Sequence, residues 1–142
     1  MERRAEFAER GGRALDGMKT LHIGIAPAGY VKRRMMEIAH GGKLLPGEPK
    51  LWVSSLESLA KVLSERNMLL LQMIRNAHPQ SLTELARLSG RAVSNLSRTL
   101  HSLERLGLVA MQEKSGGRKV PVAIYTRVKL ECTFGPSRSE AA

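Results

Sequence analysis

Residues 81–107, SLTELARLSGRAVSNLSRTLHSLERLG, divide into two amphipathic helices around a Ser-Gly break. Leu82, Leu85 and Leu88 recur at helical spacing in the first. Ser81 and Glu84 stand at the separation of a capping box, in which each side chain satisfies an orphan backbone N–H of the first turn. The second helix is expected from about Arg91 to Leu106, with Gly107 where a left-handed residue closes a helix. On a helical wheel, Val93, Leu96, Leu100 and Leu103 gather on one side. The opposite side collects Arg91, Ser94, Arg98, His101, Ser102 and Arg105, with Asn95 and Ser97 at its margins and Glu104 toward the core edge. A solvated helix usually carries both signs of charge. An acid-free face of Arg, Ser and Asn instead suits a major groove, with phosphate contacts at the rim and donors for base edges at the centre. The plainer alternative is a solvated helix that happens to be basic.

The residues after Gly107 weigh against that alternative. LVAMQEK is short and strand-like, SGGRK is a turn, and VPVAIYTRVKLEC is a longer β-type run. Two helices followed by a hairpin with a basic, glycine-rich tip is the order of a winged helix. In that fold the tip (Gly116, Gly117, Arg118 and Lys119) reaches phosphates or the minor groove while the second helix enters the major groove. Taken alone, such a tip is equally well a hairpin turn that uses glycine for positive φ and lysine for solubility.

Upstream, residues 54–63 place Leu56, Leu59, Ala60 and Leu63 on a stripe, with Ser54 and Glu57 as a second capping box. Ser64 is expected to cap a helix over 65–77, whose Met68, Leu69, Leu70, Leu71, Met73 and Ile74 predict a central, well-buried element. His78-Pro79 stops it. Further back, KTLHIGIA (19–26) alternates Leu21, Ile23 and Ile25 against His22, Gly24 and Ala26, the pattern of a strand with one buried face. AGYVKRRMMEIAH (28–40) then sets Val31, Met35 and Ile38 at helical spacing, leaving Lys32, Arg33 and Arg34 as a basic triplet away from the stripe. An unpaired strand leaves its backbone groups unsatisfied, so this one needs a partner strand in the same chain, a second copy or another protein.

The expected organisation is α+β, with a flexible leader over 1–17 and a strand–helix assembly element over 18–49. A winged helix-turn-helix over 50–132 and a flexible tail over 133–142 complete it. The leader, MERRAEFAERGGRALDG, is neutral and glycine-interrupted.

Across 142 residues the net charge is +10, from 23 basic and 13 acidic side chains. That excess predicts attraction to a polyanion, nucleic acid first and an anionic membrane surface second. Cys132, the single cysteine, excludes an internal disulfide and is expected in a buried strand. The four histidines, at 22, 40, 78 and 101, show no metal-ligand spacing. No apolar run approaches the ~20 residues that span a bilayer, and the N-terminus lacks a signal-peptide core, so a cytoplasmic protein is expected. No nucleophile–base pair and no phosphate-cradling loop appears, and GGRK lacks the strand–loop–helix context of a P-loop. Neither an enzyme nor a cofactor is expected.

Residues 54–110 resemble the winged helix-turn-helix of MarR-like regulators. With KTLHIGIA, EIAHGGK, EPKLWVSSLESLAKVLS and SNLSRTLHSLERLGLV taken together, residues 18–132 resemble the MarR-like antitoxins paired with TumE-type toxins. The resemblance implies a homodimeric repressor that binds double-stranded DNA, regulates its own operon and neutralises a small toxin protein. It maps a reading helix onto Arg91, Ser94, Asn95, Ser97 and Arg98, and a wing onto Gly117, Arg118 and Lys119.

From the residues themselves, Arg91 and Arg98 are expected at guanine edges or flanking phosphates, and Asn95 at adenine or phosphate. Ser94 and Ser97 are expected at phosphates, with His101 and Arg105 completing the face. Arg118 and Lys119 are expected on the adjacent backbone. A two-fold dimer reads a palindrome with half-sites ~10 bp apart. The competing readings are a stand-alone MarR-like regulator and a winged-helix protein-interaction module without sequence-specific DNA binding. The latter would more often stud that face with apolar anchors.

Overall fold

A computed structural model describes residues 19–134. The expected leader, and the tail from residue 135 onward, lie outside the described residues. The elements run β1 (Thr20–Ile25), α1 (Ala28–Ala39), β2 (Leu51–Val53), α2 (Leu56–Val62), α3 (Glu65–Ala77), α4 (Leu82–Ser89), α5 (Val93–Arg105), β3 (Val109–Glu113), β4 (Lys119–Ala123) and β5 (Arg127–Cys132). The fold is mixed α and β, with one parallel sheet in the order β2-β1-β5 and one antiparallel hairpin, β3–β4.

The partner that β1 requires lies within the chain, on both sides. Ile23 pairs with Leu51 on one edge and Leu130 on the other, each time in parallel. A central parallel strand is covered on both faces, which modifies the simple alternation expected of it. Leu21, Ile23 and Ile25 enter the core, and Gly24 is buried on the opposite face. A Cβ at Gly24 would stand 2.5 Å from two carbons of the Trp52 ring and 2.8 Å from Pro49 Cγ. Only a missing side chain lets Trp52 lie on the strand, and Trp52 in turn meets Tyr30 of α1 at a ring separation of 5.3 Å.

One core joins this sheet to the helices. Leu21, Ile23 and Ile25 pack in the same cluster as Leu59, Leu70, Ile74, Leu85, Leu96, Leu100, Leu103, Leu108 and Val109. The boundary expected at 49/50 is therefore not a structural division, because β1 is the middle strand of a sheet completed by β2 and β5. Residues 19–49 are an integral part of the fold. The basic triplet divides as well. Lys32 and Arg33 are exposed, Arg33 lying over the Tyr30 ring, while Arg34 is clamped by both carboxylate oxygens of Glu48 and by Glu37. The Arg34 guanidinium, followed by the backbone N–H of Leu45, holds the Glu48 carboxyl below its ordinary range, against the opposing effect of burial. That clamp fastens the connector after α1 to the helix.

Other expectations change in detail. α2 is capped by Ser55, whose Oγ accepts from Ser58 N–H, and not by Ser54. Ser64 caps α3 as expected, accepting from Asn67 N–H. Ser81 accepts from Glu84 N–H, but Glu84 reaches back to Gln80 N–H, one residue before the reciprocal partner of a capping box. α3 is half-exposed and not centrally buried: Leu70 and Ile74 enter the core, while Met68 and Leu69 face outward. The run 120–132 is two strands. Ile124 N–H closes the hairpin onto Leu108 C=O, and two residues later Thr126 and Arg127 N–H both turn to Lys19 C=O to begin the parallel strand. Thr133, expected in the tail, continues that ladder by donating to Ile25 C=O. Cys132 is exposed and not buried as expected, on a strand that lies at the sheet edge among the described residues.

Candidate nucleic-acid interface

α4 and α5 meet through Gly90, whose φ of 71° is the left-handed conformation that turns the chain without a Cβ penalty. α4 is anchored by Leu85, and α5 buries Leu96, Leu100 and Leu103 beneath the outward face. Ser94, Asn95, Ser97, Arg98, His101 and Arg105 are all exposed, as are Gly117, Arg118 and Lys119 at the hairpin tip. Gly116 and Gly117 both take positive φ, which tightens the turn between β3 and β4. α5 also differs from its neighbours at its start. Where α2, α3 and α4 each have a serine cap, α5 begins at Ala92 with no side-chain cap and no acidic residue in its first turn. Its first N–H groups carry the partial positive charge of a helix N-terminus with no side-chain oxygen capping them.

The structure removes Arg91 from the outer face. The helix begins at Val93, so Arg91 precedes it and the wheel does not apply to it. Its side chain is buried, 8% exposed, with its guanidinium on three neutral oxygens. Nε donates to Asn95 Oδ1 at 2.8 Å, Nη1 to Asn67 Oδ1 at 3.1 Å and Nη2 to Thr99 Oγ1 at 2.6 Å. Burial, and then the neighbouring Arg66, lower its pKa from the usual arginine value. Val93 fails in the same way in the opposite sense: it lies at the first position of the helix, beyond the core, and is 43% exposed.

Arg91 has a second effect, on Asn95. A guanidinium offers donors only, so the Asn95 oxygen must face it and the Asn95 NH2 must face away, toward solvent. The bidentate contact to adenine requires both amide atoms at the base edge. Asn95 therefore turns its NH2 donors outward, and their matching partners are phosphate oxygens, purine N7, guanine O6 or thymine O4. The bidentate form of the expected adenine contact is lost, and a single donation to adenine N7 or to phosphate is left. Asn67 is fixed by the same logic, its oxygen on Arg91 and its NH2 donating to Val62 C=O at 2.9 Å.

The remaining residues fall into two groups. Ser97, His101 and Lys119 line one hollow of about 180 Å³ with Leu82, Leu100, Glu104 and Met111, so the helix and the hairpin meet there. Glu104, expected at the core edge, is exposed at the margin of that hollow. Arg105 and Ser102 lie on the other flank, lining a groove of about 520 Å³ against β2 and α2. Ser102 is half-buried and returns its hydroxyl to Arg98 C=O at 3.2 Å, so it is not a free donor. Residues that the sequence did not single out are Asn67 and Thr99, which hold Arg91, and the exposed Arg66 of α3, brought close to it. The separation of 24 residues along the chain between Asn67 and Arg91 gave no local signal. Among the described residues no group of His, Cys, Asp and Glu is placed to hold a metal ion, and no helix is long and apolar enough to cross a membrane.

A protein-family profile described as HVO_A0114 matches residues 62–130, from the end of α2 into β5. No curated protein and no solved structure matches the chain.

Proposed function

We propose that the chain is a sequence-specific double-stranded-DNA-binding repressor built on a winged helix-turn-helix, with α5 as the reading helix and the β3–β4 tip as the wing. The observation that carries this reading is the joint exposure of Ser94, Asn95, Arg98 and His101 on α5, with Ser97 and His101 sharing a hollow with Lys119 of the hairpin, on a chain of net charge +10. Arg98 serves as the central base reader and Asn95 as a donor to phosphate or to a base-edge acceptor such as purine N7. Ser94 and the uncapped start of α5 meet phosphate. Arg118 and Lys119 hold the neighbouring backbone. The site is a palindrome bound by a homodimer. The resemblance to TumE-paired antitoxins adds a small toxin protein as a second ligand, tested by co-purification with the product of an adjoining gene.

Fluorescence anisotropy on the duplex upstream of the chain's own gene, against random duplex across a salt series, tests the assignment. Arg98→Ala lowers affinity for the specific duplex selectively, by about 1–3 kcal/mol. Lys119→Ala weakens both duplexes alike and flattens the salt slope by about one unit. Equal losses on both duplexes for Arg98→Ala remove the reading-helix assignment, and no duplex binding at low salt removes the whole reading.

A further inference from the structure

β5 is an edge strand of the parallel sheet among the described residues, and its pairing with β1 uses only half of its backbone. Arg127 N–H bonds to Lys19 C=O and Thr133 N–H to Ile25 C=O. By the period of two, residues 127, 129, 131 and 133 point their backbone groups inward, and Val128, Leu130 and Cys132 point theirs outward. Leu130 lies on the same sheet face as the buried Ile23 opposite it, yet remains 46% exposed. On the other face Lys129 and Glu131 are both exposed. A lysine on an edge strand ordinarily discourages pairing. Here a glutamate of opposite charge stands two residues on, on the same face.

We infer that β5 pairs antiparallel with β5 of a second copy of this chain, in the register that sets Leu130 opposite Leu130 of the partner subunit. Two-fold pairing of the outward backbone groups allows only registers that keep Val128, Leu130 and Cys132 opposite one another's class. The Leu130-centred register places Lys129 opposite the partner's Glu131, and Glu131 opposite the partner's Lys129. Shifting the centre one residue back puts lysine against lysine, and one residue forward puts glutamate against glutamate. Like charges directly opposite are destabilising, so the strand's own charges select one frame. The same frame joins Leu130 to its copy on the core-side face. The result is a six-stranded sheet running through both subunits. This pairing gives the proposed repressor its two-fold partner but is read from the strand alone, so its failure is separable from failure of the DNA reading.

Sedimentation analysis of the full chain without DNA tests it. The wild type sediments as a dimer. Lys129→Glu weakens the dimer by on the order of tenfold or more, as both Lys–Glu pairs become Glu–Glu. The double variant Lys129→Glu with Glu131→Lys restores it. Because Glu131 also lies 3.5 Å from His22 Nε2, a second measurement leaves both charges in place. Leu130→Cys in a Cys132→Ser background forms an intersubunit disulfide on mild oxidation, since opposed residues of a hydrogen-bonded antiparallel pair stand about 5.5 Å apart, within disulfide reach. A monomeric wild type, a dimer indifferent to Lys129→Glu, a double variant that stays monomeric with no crosslink at position 130, or crosslinking at 130 no greater than at Cys132 alone overturns the inference.

Discussion

Replacing Asn95 with aspartate separates the two jobs that its amide performs. The inward oxygen accepts from Arg91 Nε at 2.8 Å, and aspartate keeps an oxygen there. The bond becomes charge-assisted, so the fold is retained or modestly strengthened. The outward NH2 becomes an anionic oxygen, and a donor is exchanged for an acceptor on the face proposed to meet DNA. Losing a donor to a base edge or phosphate costs about 1–3 kcal/mol, roughly 5- to 150-fold in affinity, with charge repulsion from the phosphates added to it. Asn95→Ala behaves differently, because it also strands one donor of a buried guanidinium at about 1–3 kcal/mol of folding stability. Anisotropy titrations at fixed salt, paired with thermal melts, therefore give a crossed result. Asn95→Asp melts at or above the wild-type temperature and binds DNA poorly, whereas Asn95→Ala loses on both counts. An Asn95→Asp protein that is folded and binds specific DNA with wild-type affinity refutes the outward orientation of the amide, and with it the role of Arg91 in aiming it.

Two further perturbations address the frame that carries α5. Glu48→Gln removes the charge that Arg34 clamps, and with the carboxylate side chain only 7% exposed the weakened hydrogen bonds cost about 1.5–3 kcal/mol in chemical denaturation at neutral pH. The folded-state pKa of Glu48 is depressed, so its contribution is present above the ordinary value of 4.5 and is lost as pH falls through the lower folded value; wild type and Glu48→Gln converge in stability on acidification, and a gap independent of pH contradicts the pairing. Gly24→Ala drives a methyl into the Trp52 ring and costs about 1–3 kcal/mol by overpacking, with a shift in Trp fluorescence, the chain's one tryptophan being the reporter; unchanged melting and emission contradict the close approach.

What the sequence disclosed and what it withheld divide along a physical line. Periodicity reports the side of an element that meets the core, so β1, α4 and the buried row of α5 were legible from Leu21 to Leu103. Periodicity is silent about partners far away in the chain. The strand at 20–25 announced that it needed neighbours, but nothing local to it named residues 51–53 and 127–132, because parallel pairing leaves no hairpin turn to read. The same blindness misplaced Arg91. A wheel assumes that the helix continues, and at 91 it does not; the side chain was then free to turn inward to Asn67, a partner supplied by α3. Burying an arginine without a carboxylate is costly unless its nitrogens find oxygens, and here Asn95, Asn67 and Thr99 supply one each to Nε, Nη1 and Nη2. The cationic charge stays uncancelled behind the outward face of α5, and the Asn95 amide can point only one way. A residue expected on the outward face thus lies beneath it and fixes which amide group its neighbour presents.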